Sequence, residues 1–192
     1  MFTGIIQGMG YVDSLDGENL AISTNSNKFS NHDLGTSFAV DGVCLTLRGY
    51  DSKILNFQVS KESISRSIIS EYEIGKLVNL ELPLTMETFL SGHIVQGHVD
   101  TVTTVLKIEK VSDDQWNYNF KNNNFKYLVD KGSITVNGVS LTIVNPKDDI
   151  FTIAIIRETY DRTNFNKLEV GSFVNIEFDI MAKYVERALN DK

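Results

Sequence analysis

Two reactive side chains, a thiol and a hydroxyl, occupy corresponding places in a repeated motif. Val40-Asp41-Gly42-Val43-Cys44-Leu45-Thr46-Leu47 recurs 96 residues later (136 − 40 = 96) as Val136-Asn137-Gly138-Val139-Ser140-Leu141-Thr142-Ile143. A thiol can add to an electrophilic ring carbon or position a water, whereas a serine hydroxyl is the better hydrogen-bond partner. Cys44 and Ser140 therefore predict two related sites with different chemical roles. A packing role for Cys44 stays open, because free cysteines are often buried fillers.

Two of the three histidines lie close together, in Ser91-Gly92-His93-Ile94-Val95-Gln96-Gly97-His98-Val99-Asp100. Histidine is the natural proton carrier near neutral pH, and we predict a catalytic role for His98. For His93 a structural and a functional role both remain open. We expect no metal site, because no third ligand lies near these histidines in the sequence.

A second repeated element combines a carboxylate with a guanidinium. Glu62-Ser63-Ile64-Ser65-Arg66-Ser67 matches Glu158-Thr159-Tyr160-Asp161-Arg162-Thr163 at the same spacing (158 − 62 = 96). On a helical turn the glutamate and the arginine four residues later would lie on one face and pair. The pairs favour a structural role, while the hydroxyls of Ser63 and Thr159 remain candidates for holding a polar ligand.

These motifs belong to a repeat that spans most of the chain. Gly75–Leu82 matches Gly171–Phe178 at the same spacing, and the opening Ile5–Gly8 matches Ile94–Gly97 at a spacing of 89 (94 − 5 = 89). The shorter spacing aligns His98 with Met9, so the fold would not require a histidine there. We predict two homologous domains, residues 1–90 and 91–178, followed by a tail, 179–192. A duplicated scaffold without shared function is less favoured, since the matches include polar residues.

Each half is predicted to be all-β. Apolar and polar residues alternate in 55–60 and 77–82, which is typical of half-buried strands. Asp41-Gly42 and Asn137-Gly138 are two-residue hairpin signals. Several short strands with few prolines predict a small closed barrel in each half. The segments 61–69 and 157–165 lack alternation and are predicted to form short helices that close a barrel opening.

The tail has a helical pattern. Ile180, Tyr184 and Ala188 are spaced by four residues, and Asp179 is a candidate N-cap. A short amphipathic helix is marginal in water by itself. We therefore expect it to pack on another surface, and a neighbouring subunit is favoured over its own barrel.

Composition restricts the class of protein. The net charge of −7 argues against a nucleic-acid-binding protein, which usually carries a basic face. No apolar run approaches the roughly 20 residues of a membrane span, and the first residues read as strand and turn rather than as a signal peptide. One cysteine permits no intrachain disulfide. We expect a cytoplasmic protein with no membrane partner.

Four segments together closely resemble riboflavin synthases. They are the opening Met1–Gly8, the Asp41–Thr46 segment, the paired-histidine segment Ser91–Asp100, and the Asn137–Thr142 segment. The resemblance covers about residues 1–187. It implies two barrels that each bind one 6,7-dimethyl-8-ribityllumazine, without a metal or redox cofactor. It also implies a homotrimer held by C-terminal helices, with active sites between subunits, and an association with lumazine synthase.

The resemblance also implies which residues act. Cys44, His98 and Ser140 would be catalytic. The substrate-binding residues would be Phe2, Gly4, Ile5, Ile6, Ser37, Leu45, Thr46, Val59, Ser60, Lys61, Glu62, Ser63, Gly97, Val99, Lys131, Asn137, Leu141, Thr142, Ile155, Ile156, Arg157, Glu158, Thr159 and Asp179, with Lys131 reaching a partner's site. Thr46 and Thr142 would face the same side of their strands as Cys44 and Ser140.

One residue departs from the family pattern. Asn137 stands where many members carry aspartate, and an amide cannot act as a carboxylate base. The main alternative function is a non-catalytic lumazine- or flavin-binding protein, like the optical proteins of luminous bacteria, whose second half looks degenerate. Here both halves keep the Cys44 and Ser140 motifs, which favours the enzyme.

Overall fold

The computed structural model describes residues 1–51, 53–122 and 125–190. The first half contains β1 (Gly8–Asp16), β2 (Asn19–Ser23), β3 (Ser37–Val40), β4 (Val43–Asp51), β5 (Ile54–Gln58), α1 (Lys61–Arg66) and β6 (Leu77–Glu81). The second half contains β7 (Thr101–Ser112), β8 (Gln115–Lys121), β9 (Ser133–Val136), β10 (Val139–Lys147), β11 (Ile150–Ile156), α2 (Arg157–Arg162) and β12 (Phe173–Phe178). Helix α3 (Ile180–Asn190) follows. Short 3₁₀ helices cover Asn27–Phe29, Ile68–Glu71, Phe125–Tyr127 and Asn164–Lys167.

Each half closes into a six-stranded antiparallel barrel. The strand order is β1-β2-β5-β4-β3-β6 in the first barrel and β10-β11-β8-β7-β12-β9 in the second. Alternate residues of each strand point into a separate apolar core, as Leu45 and Leu47 do in β4. The predicted tandem β-barrels with a C-terminal helix are confirmed. Their strands lie inside the predicted domains, whose boundaries at 90 and 178 stay predictions.

Strand pairing corrects the spacing predicted between the opening segment and its match in the second half. Gly8 pairs with Leu80 across β1 and β6, and Thr101 pairs with Ile176 across β7 and β12. Since Leu80 and Ile176 are 96 apart, Gly8 corresponds to Thr101 at a spacing of 93 (101 − 8 = 93). The predicted spacing of 89 for the opening segment was wrong.

The corrected register pairs His98 with Ile5 instead of Met9 (98 − 5 = 93). The match at a spacing of 89 arose because four residues of similar type recur locally, and local similarity carries no information about strand pairing. The fold still does not require a histidine at this place, since isoleucine occupies the corresponding position.

Both predicted hairpin turns have the expected backbone. The φ angles are 45° and 79° at Asp41 and Gly42, and 47° and 78° at Asn137 and Gly138. Positive φ at both central positions is what a type I′ turn requires. Each turn joins two strands of its barrel, β3 to β4 and β9 to β10, and so places Cys44 and Ser140 one residue into corresponding strands.

The helices predicted over 61–69 and 157–165 form, and each packs against its barrel. No residue of α1 or α2 is fully buried, but Ile64 and Tyr160 are partly buried against the two cores. The 3₁₀ turns that follow them bury Ile68, Ile69 and Phe165 in the two cores. The glutamate–arginine pairs predicted on the helices are present, Glu62 with Arg66 and Glu158 with Arg162. These pairs are solvent-exposed, so they contribute little to stability.

The tail helix begins as predicted. The Asp179 carboxylate accepts a hydrogen bond from the Met181 N–H at 2.9 Å, which caps the first turn. Lys183 forms an ion pair with Asp100. Helix α3 buries no residue, and Tyr184 and Leu189 are both about two-thirds exposed. Residues 191 and 192 of the predicted tail lie outside the described residues.

Across the described part of the chain, no helix combines the length and apolar character needed to cross a bilayer.

Candidate active site

The chain segment that precedes each barrel lies against the other barrel. The Ser140 N–H donates to the Gly4 carbonyl oxygen at 2.7 Å, and the Cys44 N–H donates to the Gly97 carbonyl oxygen at 2.8 Å. Between these contacts, Phe2 and Val95 form a two-residue antiparallel bridge. Each reactive position is therefore completed by a segment from the other half of the chain.

Glycine is required where the segments cross. Gly4 and Gly97 have positive φ angles of 75° and 79°. A Cβ atom on Gly4 would lie 2.6 Å from the Ser140 Cβ, and one on Gly97 would lie 2.6 Å from the Cys44 Cβ. Both the backbone conformation and the close approach exclude a larger side chain.

Two buried carboxylates hold the crossing segments in place. Glu177 accepts hydrogen bonds from the N–H groups of Gln96, Gly97 and His98 at 2.7–3.0 Å. The equivalent Glu81 accepts from the N–H groups of Thr3 and Gly4 at 2.7 and 3.0 Å, and from the Thr3 hydroxyl. Burial raises the pKa of each carboxyl, while the N–H donors oppose the shift. The positions of Gly4 and His98 therefore depend on these two side chains.

The first pocket, called here the Cys44 pocket, has a volume of about 390 Å³. Its first-half residues are Val43, Cys44, Glu62, Ser63, Arg66 and Ser67, and its second-half residues are Gly97, His98, Val99 and Asp100. His98 is exposed, and Cys44 is a free, partly buried thiol. The structure thus brings six predicted residues together: Cys44, Glu62, Ser63, Gly97, His98 and Val99. A depression of about 310 Å³ contains Thr46, Ser60 and Lys61.

The second pocket, called here the Ser140 pocket, is smaller, at about 180 Å³. It is lined by Gly4, Ile5 and Ile6 from the first half and by Val139, Ser140, Glu158, Thr159, Arg162 and Thr163 from the second. By the spacings of 96 and 93, these residues correspond to those of the Cys44 pocket. The two pockets are therefore related copies in which Cys44 and His98 are replaced by Ser140 and Ile5.

A histidine is also present beside Ser140, but it comes from a different position. The His93 Nδ1 lies 2.7 Å from the Ser140 Oγ, and its Nε2 lies 3.3 Å from the Thr135 Oγ1. Burial lowers the pKa of His93, and the nearby Asp179 carboxylate opposes this shift. A neutral imidazole can exchange a proton with the Ser140 hydroxyl.

Other predicted residues lie outside the two pockets. Five are buried apolar side chains: Phe2 lies in a small cluster with Ala39 and Val95, and the two barrel cores contain Leu45, Val59, Leu141 and Ile155. Ser37 pairs with Thr46 across β3 and β4, and Thr142 is exposed on β10. Ile156 is exposed, Lys131 is exposed with φ of 64°, and Arg157 pairs with Asp114 and lies over the Trp116 ring. Asn137 is buried between the barrels, away from both pockets.

Several residues of the pockets were not predicted to bind ligand. Arg66, Arg162, Ser67, Thr163 and Asp100 line the pockets, and His93 contacts Ser140. The repeat already marked both arginines, because each occupies the same place in its half. No sequence signal links His93 to Ser140, since the contact depends on the crossing of the segments.

Within residues 1–51, 53–122 and 125–190, no group of three or more His, Cys, Asp or Glu side chains is arranged to hold a metal ion.

Two barrels with paired pockets define a protein built from two copies of one ligand-binding domain. The family model described as "Lumazine binding domain" matches residues 3–83 and again 96–179. The two matches begin 93 residues apart (96 − 3 = 93), in agreement with the strand register. A solved structure titled as LumP complexed with riboflavin superimposes with a TM-score of 0.85 at 27% identity, covering 93% of this chain and 99% of that chain.

Sequence relatives identify the family within this class of protein. Riboflavin synthase of Actinobacillus pleuropneumoniae is 36% identical over 197 residues, which is 100% of this chain and 91% of that protein. Riboflavin synthase of Bacillus subtilis is 37% identical over 195 residues, 99% of this chain and 90% of that protein. The chain belongs to the riboflavin synthase family, a family of enzymes.

Proposed function

We propose that this chain converts two molecules of 6,7-dimethyl-8-ribityllumazine into riboflavin and 5-amino-6-ribitylamino-pyrimidinedione. One lumazine donates a four-carbon unit and the other accepts it. The two products together contain the atoms of the two substrates, so the reaction needs no external oxidant or reductant. The observation that carries the proposal is the pair of related pockets, each completed by the other half of the chain.

Two related pockets suit a reaction between two identical molecules. Each pocket holds one lumazine, and the duplicated fold supplies similar contacts to both. Fixing two reactants in a productive orientation can contribute roughly 7–11 kcal/mol to a bimolecular reaction. The protein therefore promotes the reaction largely by positioning, since the lumazine ring itself stabilises the carbanion formed at its methyl group.

The differences between the pockets assign the two roles. The Cys44 pocket offers a thiol, which can add to a ring carbon, and the exposed imidazole of His98, which can move a proton. The Ser140 pocket offers a hydroxyl held by His93. In this proposal Glu62, Ser63, Glu158 and Thr159 hold the polar edges of the two ligands.

A non-catalytic ligand carrier is the second candidate. It is motivated by the structural similarity to LumP, whose structures are titled as complexes with the ribityl lumazine, riboflavin and flavin mononucleotide. The enzyme is favoured because the Ser140 pocket keeps residues equivalent to those of the Cys44 pocket, and because the identity to riboflavin synthases is higher, at 37% for that of Bacillus subtilis against 27% for LumP.

We also propose that three copies associate through α3, whose apolar side chains are exposed to solvent in the single chain. The active site would then lie where the first barrel of one copy faces the second barrel of another. A cytoplasmic location and an association with lumazine synthase remain predictions.

The direct test is to mix the purified protein with 6,7-dimethyl-8-ribityllumazine and follow riboflavin absorbance without added cofactor. We expect one riboflavin for every two lumazines consumed. Tight binding of the lumazine with no riboflavin formed would identify a carrier and refute the enzymatic proposal.

A further inference from the structure

A further cavity lies between the two barrels, apart from the Cys44 and Ser140 pockets. Its volume is about 420 Å³, within the range of small-molecule sites, and both barrels contribute to its wall. We call it the interbarrel cavity. Neither Cys44 nor Ser140 contributes to it.

In the first barrel, the surroundings of Asp41, which is equivalent to Asn137 of the cavity wall, are filled by side chains of the protein itself. The Asp41 carboxylate accepts hydrogen bonds from the Tyr72 hydroxyl at 2.9 Å and from the Asn79 N–H at 2.8 Å. Asn164 donates a third, at 2.9 Å. Asp41 and Tyr72 are both buried, so the phenol ring and its oxygen occupy this position.

The second barrel lacks the phenol. Asn137 corresponds to Asp41, but Leu168 stands where Tyr72 stands in the first half (168 − 72 = 96). The Asn137 Oδ1 accepts from the Asn175 N–H at 2.8 Å, whereas its Nδ2 has no hydrogen-bond partner among the described residues. Asn137 is only 1% exposed. A buried donor without an acceptor is unfavourable and is usually satisfied by another group.

The residue with the unpaired amide and the residue that replaces the phenol both belong to the cavity wall, and the Asn137 Nδ2 atom itself lies just beneath the surface. Asn137 and Leu168 both line it, together with the apolar side chains of Ile68 and Phe173. Two cations, Lys76 and Lys167, and one carboxylate, Glu71, complete the charged part of the wall. An occupant should therefore be flat and apolar at one end, and carry a negatively charged acceptor at the other.

We propose that the interbarrel cavity binds a small aromatic carboxylate. A carboxylate oxygen accepts from the Asn137 Nδ2 after a small movement of that side chain, the ring packs beside Leu168 and Phe173, and Lys76 and Lys167 favour the anion. This site is separate from the lumazine pockets, and the inference does not depend on the proposed reaction.

Benzoate is the probe for this site, used with full-length protein saturated with riboflavin so that the Cys44 and Ser140 pockets are occupied. Benzoate should shift the Asn137 side-chain amide resonances in a saturable manner, with a dissociation constant on the order of 1 mM for so small a molecule. The neutral analogue benzyl alcohol should bind several-fold more weakly.

Leu168→Tyr restores the arrangement of the first barrel and should weaken benzoate binding by at least about tenfold, because the new phenol fills the cavity and satisfies Asn137. Leu168→Met, which adds no hydroxyl, should retain binding. Lys167→Gln changes only a side chain at the cavity wall and should weaken binding several-fold, which keeps the test valid if Leu168→Tyr fails to fold. An absence of saturable shifts, or equal binding by wild type and Leu168→Tyr, would show that water alone satisfies Asn137 and would overturn the proposal.

Discussion

The Nδ1 atom of His93 lies 2.7 Å from the Oγ atom of Ser140, although the residues are 47 apart in the sequence. The contact forms because the segment before the second barrel runs beside the opening segment, where His93 N–H donates to the Thr3 carbonyl oxygen close to Ser140, before Gly97 reaches Cys44. Burial lowers the pKa of His93, so the imidazole is neutral at pH 7 and its protonation in the folded protein is unfavourable.

This shift predicts a dependence of stability on pH. In the unfolded chain His93 takes up a proton around the ordinary histidine pKa of 6.5, whereas the folded protein takes it up only at lower pH. The unfolded state therefore binds more protons in this window, and the free energy of unfolding should fall as pH falls below about 6.5. Urea unfolding of wild type and His93→Gln between about pH 5 and pH 8 should show a smaller decrease for the variant. Equal decreases would show that His93 does not cause the effect.

Cys44→Ser should lower the rate of riboflavin formation by about 100-fold or more and leave the fold intact, since a positioned proton-transfer group contributes about 10²- to 10⁴-fold. Cys44 is partly buried, and its replacement by a similar small side chain removes no large contact. Steady-state kinetics and thermal unfolding on the same sample provide the two readouts. Ser140→Ala is the matched variant in the other pocket. An unchanged rate in Cys44→Ser would remove the thiol from the mechanism.

Gly97→Ala should destabilise the protein and impair the Cys44 pocket, because the new Cβ would lie 2.6 Å from the Cys44 Cβ. We expect a loss of about 2–4 kcal/mol from the combined backbone strain and overlap. Gly171→Ala is the control: its φ is also positive, at 95°, but no heavy atom lies within 4 Å of the added Cβ. Chemical unfolding and riboflavin titration should show a larger defect for Gly97→Ala. Similar losses for both variants would mean that φ alone matters.

Glu177→Gln should displace the segment that carries His98, because an amide nitrogen would face backbone N–H donors. The cost is about 1–3 kcal/mol for the mismatched buried groups. Titration with riboflavin should show weakened binding at one of two sites, and Glu81→Gln should weaken the other. Rescue by the conservative change Glu177→Asp is not expected, since the shorter side chain cannot reach three donors at 2.7–3.0 Å. Two unaltered sites in Glu177→Gln would contradict this positioning role.

Removal of the residues after Asp179 should convert a trimer into smaller species and make activity depend on protein concentration. The exposed stripe of α3 includes Met181, Tyr184, Val185 and Leu189, and burying each larger side chain contributes roughly 1.5–3 kcal/mol. Light scattering and dilution kinetics measure the two effects.

A point variant separates assembly from helix loss. Leu189→Lys places a charge in the stripe and should weaken association, whereas Asn190→Lys, one residue further, should not. A truncated protein that stays trimeric and fully active would refute assembly through α3.

The elements that depend on local pattern could be predicted from the amino-acid sequence alone. Alternation fixed the strands, the Asp41-Gly42 and Asn137-Gly138 pairs fixed two hairpins, and the repeat established that Cys44 and Ser140 are equivalent. The Glu62–Arg66 spacing and the Asp179 cap were also predictable, since each involves residues within one helical turn.

The way in which each half completes the pocket of the other became visible only in the folded chain. Gly4 meets Ser140 and Gly97 meets Cys44 because two closed barrels pack with their leading segments exchanged, and no local pattern records such an exchange. The spacing predicted for the opening segment was wrong for the same reason. The true spacing is set by the pairing of β1 with β6, which joins residues far apart in the chain. The missing partner of the Asn137 amide could likewise be seen only in the folded chain. It depends on Leu168, which is far from Asn137 in the sequence and stands where the first half has a tyrosine.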